Sequence, residues 1–184
     1  DVCKKHALSG NAVLPVLFLN TAICSLLFLP FIILSSYTGL LDSSSFYVEP
    51  CGWEQHRYIL LKACIVLSSW IFGYFAMKHL PITIVGPINA TRPVMVLVGA
   101  LLVFGERLNV WQWAGVTLAI ISFFLLKRSG KKEGVDFRHN KWIFSLILAA
   151  VLGAVSGLYD KYLMAPPENG GVGLSRMVVQ SWYN

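Results

Sequence analysis

Charge is what this sequence has least of. Lys, Arg, Asp and Glu make up 13% of it, about half the share found in a soluble domain. So sparse a charged surface excludes an ordinary globular domain, because a chain this short keeps much of its surface in contact with solvent. Catalytic signatures are also missing: no GxSxG, P-loop or HExxH occurs, so neither a hydrolase nucleophile nor an ATPase phosphate cradle is legible. Cysteine is sparse and unpatterned. Cys3, Cys24, Cys51 and Cys64 have no CxxC or metal spacing, and such residues behave as small hydrophobes when unpaired. The four histidines, His6, His56, His79 and His139, lie in loops or at run ends without ligand spacing. No enzyme activity, metal or cofactor is expected, and uphill transport would have to draw on an ion gradient.

What fills the chain is apolar. Hydrophobic residues account for 56% of it and the mean hydropathy is +0.64. A bilayer-spanning helix needs about 20 apolar residues. Five runs meet or approach that length: Ala12–Leu34, Tyr58–Met77, Ile82–Phe104, Val110–Leu126 and Trp142–Leu158, with a sixth opening near Val172. The first run is too long for a signal-peptide core of roughly 7–15 residues. With no Met at its start and an apolar segment at its end, the sequence reads as a piece of a longer protein.

Thirteen of the 15 basic residues lie between the runs. Lys4, Lys5, Lys78, Lys127, Arg128, Lys131, Lys132, Arg138 and Lys141 fall in one alternating set of loops, and Arg57, Arg107, Lys161 and Arg176 in the other. The richer set is expected to face the cytoplasm. The net charge of +6 is thus a topology signal. A nucleic-acid partner is not expected, since that needs a basic face on a folded soluble domain. Tyr58, Trp111, Trp113 and Trp142 sit at run ends, where amphipathic rings favour the headgroup level.

The two cations left over, Lys62 and Arg92, stand inside apolar runs. An arginine at a helix centre costs roughly 2.5–3.5 kcal/mol on insertion scales. Glu106 is too far along the same helix to neutralise it, at roughly 21 Å of rise. Arg92 should therefore face a bundle interior, a water-filled cavity or a partner helix. Pro93 and Pro87 deprive the carbonyls of Asn89 and Thr83 of helical partners and mark expected kinks. Broken helices of this kind are tolerated at membrane depth where they line a cavity. Asn89 and Arg92 share a helical stripe with Val96, Gly99 and Val103, and read as facing a substrate path. The alternative is an arginine satisfied by a buried partner with no substrate contact.

Lys62 can snorkel to the headgroups, pair structurally, or help hold an anionic substrate. Asn20, with Thr21 beside it, and Gln180 are mid-run polar residues that serve as glue or as substrate contacts. Asp160 and Lys161 close the fifth run, as an interfacial pair or a gate. Ala149, Gly153 and Gly157, and likewise Gly115 and Ala119, form small-xxx-small seams for close helix packing. The spacing of Asp1 to Asn20 echoes that of Asp160 to Gln180. That echo fits a duplicated unit of about five helices, which would be inverted in the membrane.

The stretch "LPITIVGPINATRPVMVLVGALLVFGERLNVWQWAGVTLAIISFFLLKR" resembles the EamA domain of the drug/metabolite transporter superfamily. The proline-bearing helix, the Gly105-Glu106 turn and Gln112-x-x-Gly115 carry the resemblance, with "LYDKYL" at 158–163 and "DVCKK" at 1–5 similar to one another's place in two units. Arg92 departs from the small or uncharged residue such a unit would carry there. The resemblance implies an all-α polytopic membrane helix bundle, a fragment of a ten-helix protein built from two inverted five-helix repeats. Residues 1–128 would be helices two to five, 129–141 a basic cytoplasmic linker, and 142–184 helix six and the start of seven. The function implied is secondary transport or export of a small polar metabolite by alternating access, in the inner (plasma) membrane. The alternatives are a non-transporting scaffold or sensor, or a lipid-linked sugar translocase. Membrane lipids and a small-molecule metabolite substrate are the expected partners, with a homodimer left open.

Overall fold

The computed structural model describes residues 2–38, 40–42, 44–105, 109–130 and 140–183, with side chains 123, 124 and 126–130 outside the description. Among the described residues all regular secondary structure is helical. The helices are α1 (Val2–Leu8), α2 (Val13–Tyr37), α3 (Trp53–His79), α4 (Ile82–Ala90), α5 (Arg92–Phe104), α6 (Val110–Gly130), α7 (Lys141–Met164) and α8 (Arg176–Tyr183). Four stretches are long and apolar enough to cross a membrane: α2, α3, α4 with α5 taken together, and α7. Helix α6 has 21 residues, and its described apolar part ends at Ser122. Glu106, Asp1 and most of the basic linker lie outside the described residues.

Local chemistry sets the helix ends. Asn109 and Gln112 form a reciprocal cap at the start of α6. Val110 N–H donates to Asn109 Oδ1 at 2.6 Å, and Asn109 N–H donates to Gln112 Oε1 at 2.8 Å. This gives the glutamine of the Gln112-x-x-Gly115 pattern a physical role, because it satisfies an orphan donor of the first turn. Gly105 ends α5 in the left-handed conformation at φ 63°, which costs glycine nothing. Asn140 caps α7 by accepting from Trp142 N–H at 2.9 Å.

The run Ile82–Phe104 breaks at Thr91. Helix α4 continues through Pro87, and Pro93 occupies the first turn of α5, where its missing N–H has no intrahelical partner to lose. Thr91 keeps right-handed helical angles (φ −77°, ψ −15°), so the break interrupts hydrogen bonding without a wide bend. Thr91 N–H and Oγ both donate to the Ile88 carbonyl, at 3.2 and 2.7 Å. A residue before proline is disfavoured in helical geometry, yet Arg92 is the first residue of α5.

The sixth run also starts differently. Helix α8 begins at Arg176, not near Val172. The intervening residues fold back on the end of α7: Val172, Gly173 and Leu174 N–H groups donate to the carbonyls of Tyr162, Ala165 and Leu163 at 3.2, 2.8 and 2.8 Å. The last turn of α7 needs such donors, and supplying them keeps residues 172–174 out of α8.

Helices α3 and α7 form the antiparallel spine. Ser145 Oγ donates to Phe72 O at 3.1 Å, Ser69 Oγ to Ala149 O at 2.7 Å and Tyr159 OH to Tyr58 O at 3.3 Å. At one end of the spine His79 stacks on Trp142 with ring centroids 3.6 Å apart. Trp142, expected to be a lipid anchor, is thereby engaged within the protein; Trp111 and Trp113 are exposed, as headgroup anchors should be. Two buried clusters flank the spine, one around Leu8, Leu80, Ile84, Ile143 and Leu146, the other around Ile59, Leu163 and Val178. A Cβ built on Gly115 of α6 meets nothing within 4 Å, so no close helix approach is made at that position within the described chain.

Lys5 closes the end of α3. Its ammonium donates to the carbonyls of Met77, Lys78 and Leu80 at 2.6, 3.1 and 2.8 Å. A cation there satisfies orphan carbonyls and opposes the helix dipole. Lys5→Met is expected to lower stability by about 1–2 kcal/mol, read as a lower midpoint of thermal unfolding of the full-length protein; an unchanged midpoint would show the cap to be idle.

Candidate functional site

The polar groups of the membrane interior fall into two layers. The first is built on Arg92. Its guanidinium lies between α3 and α7, against residues that have no side chain to exclude it. A Cβ built on Gly153 would meet Arg92 Nε and Cζ at 3.1 Å and Nη1 at 3.2 Å, and one built on Gly73 would meet Nη2 at 3.9 Å. Arg92 Nε is buried and has no hydrogen-bond partner among the described residues. The small-residue seam of α7 is therefore the receiving surface for α5: Gly153 seats Arg92, and Gly157 faces Val96. Ala149 of the same seam meets Gly73 of α3. Asn89 is half-buried one turn before Arg92.

The second layer is an ion pair. Lys62, 3% exposed, donates from α3 to Asp160 Oδ1 on α7. Lys62 neither snorkels nor lies free for an anion; its ammonium sits between the Asp160 carboxylate and the face of the Tyr183 ring, 4.4 Å from the centroid. Tyr183 OH in turn accepts from Gln180 Nε2 at 3.2 Å. The expected interfacial pairing of Asp160 with Lys161 is not formed. Adjacent residues on a helix point about 100° apart, so Asp160 turns to α3 while Lys161 turns to α5 and lies over Phe104, 5.4 Å from the ring centroid. The two layers are separate: Gly153 and Asp160 are about 10 Å apart along α7.

Asp160 also faces open space. With Gln180 and Arg176 it lines a cavity of 590 Å³, whose walls include Phe28, Phe31 and Phe46. The rings of Phe31 and Phe46 stack at 5.5 Å between centroids. Asn20 is half-buried on α2 and does not line this cavity; the hydroxyl of Thr21 is spent on its own helix, at the carbonyls of Leu17 and Phe18. Sequence reasoning missed Tyr183 and Arg176. Arg176 carried a signal, as a cation placed where an apolar run begins; Tyr183 carried none.

All four cysteines are free, Cys24 and Cys64 within spans and Cys3 and Cys51 outside them. Burial, and then the neighbouring Glu49 carboxylate, push the Cys51 thiol up. The thiolate is the reactive form, so Cys51 is expected to react with maleimide at pH 7 more slowly than exposed Cys3. Equal rates for the two, resolved by mass spectrometry of labelled peptides, would contradict this.

Membrane-length helices that hold an interior arginine and, in a separate layer, an ion pair whose carboxylate borders a largely apolar cavity define a multi-pass membrane helix bundle. The comparisons make the class specific. Residues 1–128 match the EamA-like transporter family, and the chain belongs to that family. It is also similar to UDP-galactose transporter homolog 1 of Kluyveromyces lactis, 23% identical over 84 residues, covering 44% of this chain and 25% of that protein. The match thus spans a quarter of the relative's length. No solved structure matches.

Proposed function

We propose that the chain forms part of a secondary transporter or exporter that moves a small polar metabolite by alternating access across the inner (plasma) membrane. The observation that carries the reading is Arg92. A permanently charged guanidinium is expensive at bilayer depth, yet here it enters the bundle interior through a gap kept open by Gly73 and Gly153. An arginine that served only to lock helices would be better matched by a carboxylate, and the Asp160 carboxylate is held by Lys62. An anionic or zwitterionic metabolite supplies the missing acceptor. The break at Thr91 lets α4 and α5 move separately, which suits rocking of one bundle on another. Lys62, Asp160 and Gln180 hold a second polar layer on the proposed path.

Arg92→Gln in the full-length protein is expected to abolish metabolite export from expressing cells, followed by mass spectrometry, while membrane abundance stays unchanged. Undiminished export would sink the role of Arg92 in the path. Lost abundance with normal export per molecule would instead favour the non-transporting scaffold, in which Arg92 only locks helices.

A further inference from the structure

We propose that Asp160 is an exchange site for an ammonium group: an amine-bearing ligand entering the 590 Å³ cavity displaces Lys62 from the carboxylate. The inference rests on the transporter reading and names the chemistry of one of its sites. It begins from an asymmetry within the ion pair. The Lys62 side chain is 4% exposed and that of Asp160 is 30% exposed. Lys62 approaches Asp160 from the α3 side and holds Oδ1, while the carboxylate borders the cavity. A ligand can thus reach the acid without passing the lysine.

The surroundings select a cation with an apolar body. Phe28, Phe31, Phe46, Met164 and Met177 supply the walls, and Gln180 a polar contact. Aromatic faces and a carboxylate both favour ammonium over a neutral group of the same shape. A polyphosphate or other multiply charged anion would meet the Asp160 carboxylate, with Arg176 as the single cation in the lining. The sugar-nucleotide chemistry in the name of the yeast relative is therefore not what this cavity selects.

Exchange has a structural consequence. The Lys62 ammonium also rests on the Tyr183 ring of α8, and Tyr183 is joined to Gln180, which lines the same cavity. When a ligand amine takes the carboxylate, Lys62 keeps only the ring, and a buried charge without its counter-ion is unstable. Ligand entry therefore loosens α8 from the α3–α7 spine, linking occupancy to movement.

The test compares phenylethylamine with its neutral isostere phenylethanol, by calorimetric binding to the purified full-length protein in detergent. The amine is expected to bind about tenfold or more tightly than the alcohol. Asp160→Asn should remove that preference. Lys62→Met should increase amine affinity, because the competitor is gone; a pair that is merely structural predicts no increase. Where Asp160→Asn fails to fold, the combined Lys62→Met/Asp160→Asn variant provides the carboxylate-free comparison. Equal binding of amine and alcohol, or an amine affinity unmoved or reduced by Lys62→Met, overturns the proposal. Neither result bears on Arg92, so export lost in Arg92→Gln with no amine preference would retire the exchange site and leave the transporter reading standing.

Discussion

Asp160→Asn lowers the stability of the full-length protein by about 3–5 kcal/mol, the usual cost of stranding one member of a buried ion pair. Lys62 cannot escape to water: it is 3% exposed and closed in by Tyr183. The reverse substitution, Lys62→Met, should cost much less, because Asp160 faces the cavity and water can solvate the carboxylate left behind. Replacing both residues, as Lys62→Met/Asp160→Asn, should recover most of the loss, since a buried pair exchanged for well-packed uncharged groups is often neutral. Thermal unfolding of the three variants decides the matter. Two single variants of equal cost would show that the asymmetry of exposure does not govern the pair.

Gly153→Leu should be comparably severe. A Cβ alone at this position would lie 3.1 Å from Arg92 Nε and Cζ, and a full leucine leaves the guanidinium no seat between α3 and α7. Overpacking costs about 1–3 kcal/mol, and driving the arginine toward lipid adds roughly 2.5–3.5 kcal/mol on insertion scales. The expected outcome is a sharp fall in membrane abundance and loss of export. Adding Arg92→Ala to Gly153→Leu should restore abundance while leaving export absent. That non-additivity is the signature of two side chains competing for one space. If Arg92→Ala brings no recovery, the damage from leucine lies elsewhere along α7.

These two predictions depend differently on what could be read from the chain. Arg92 was legible because a cation amid apolar residues must face the interior, whatever its neighbours. Its seat was only half legible: Ala149, Gly153 and Gly157 announce a close-packing seam, yet nothing in their spacing says that an arginine from α5 occupies it. Gly115 and Ala119 have the same spacing, and Gly115 meets no neighbour. The Lys62–Asp160 pair was not legible at all. Its members are 98 residues apart in sequence, and Asp160 has a closer charge of opposite sign next to it. Helix geometry turns that adjacent lysine to a different face, and the antiparallel register of α3 on α7 supplies the partner.

The break in the fourth span shows the same division. Pro87 and Pro93 marked the region, because a missing N–H is a property of the residue itself. Where the chain in fact interrupts, at Thr91, was decided by which carbonyls could still find donors. The start of α8 was likewise moved from Val172 to Arg176 by the demand of the end of α7 for hydrogen bonds.

The amino-acid sequence by itself determined the solvent this protein folds in, the approximate helix lengths, the loop-charge bias and the presence of two cations at hydrocarbon depth. Those follow from composition and from the cost of exposing polar groups to lipid, which act locally and leave a one-dimensional trace. Tertiary structure decided which charges meet, which glycines receive a side chain and which face of Asp160 stays open to the cavity. Each of these depends on the relative rotation and register of helices far apart in the chain, and no local pattern of residues encodes that.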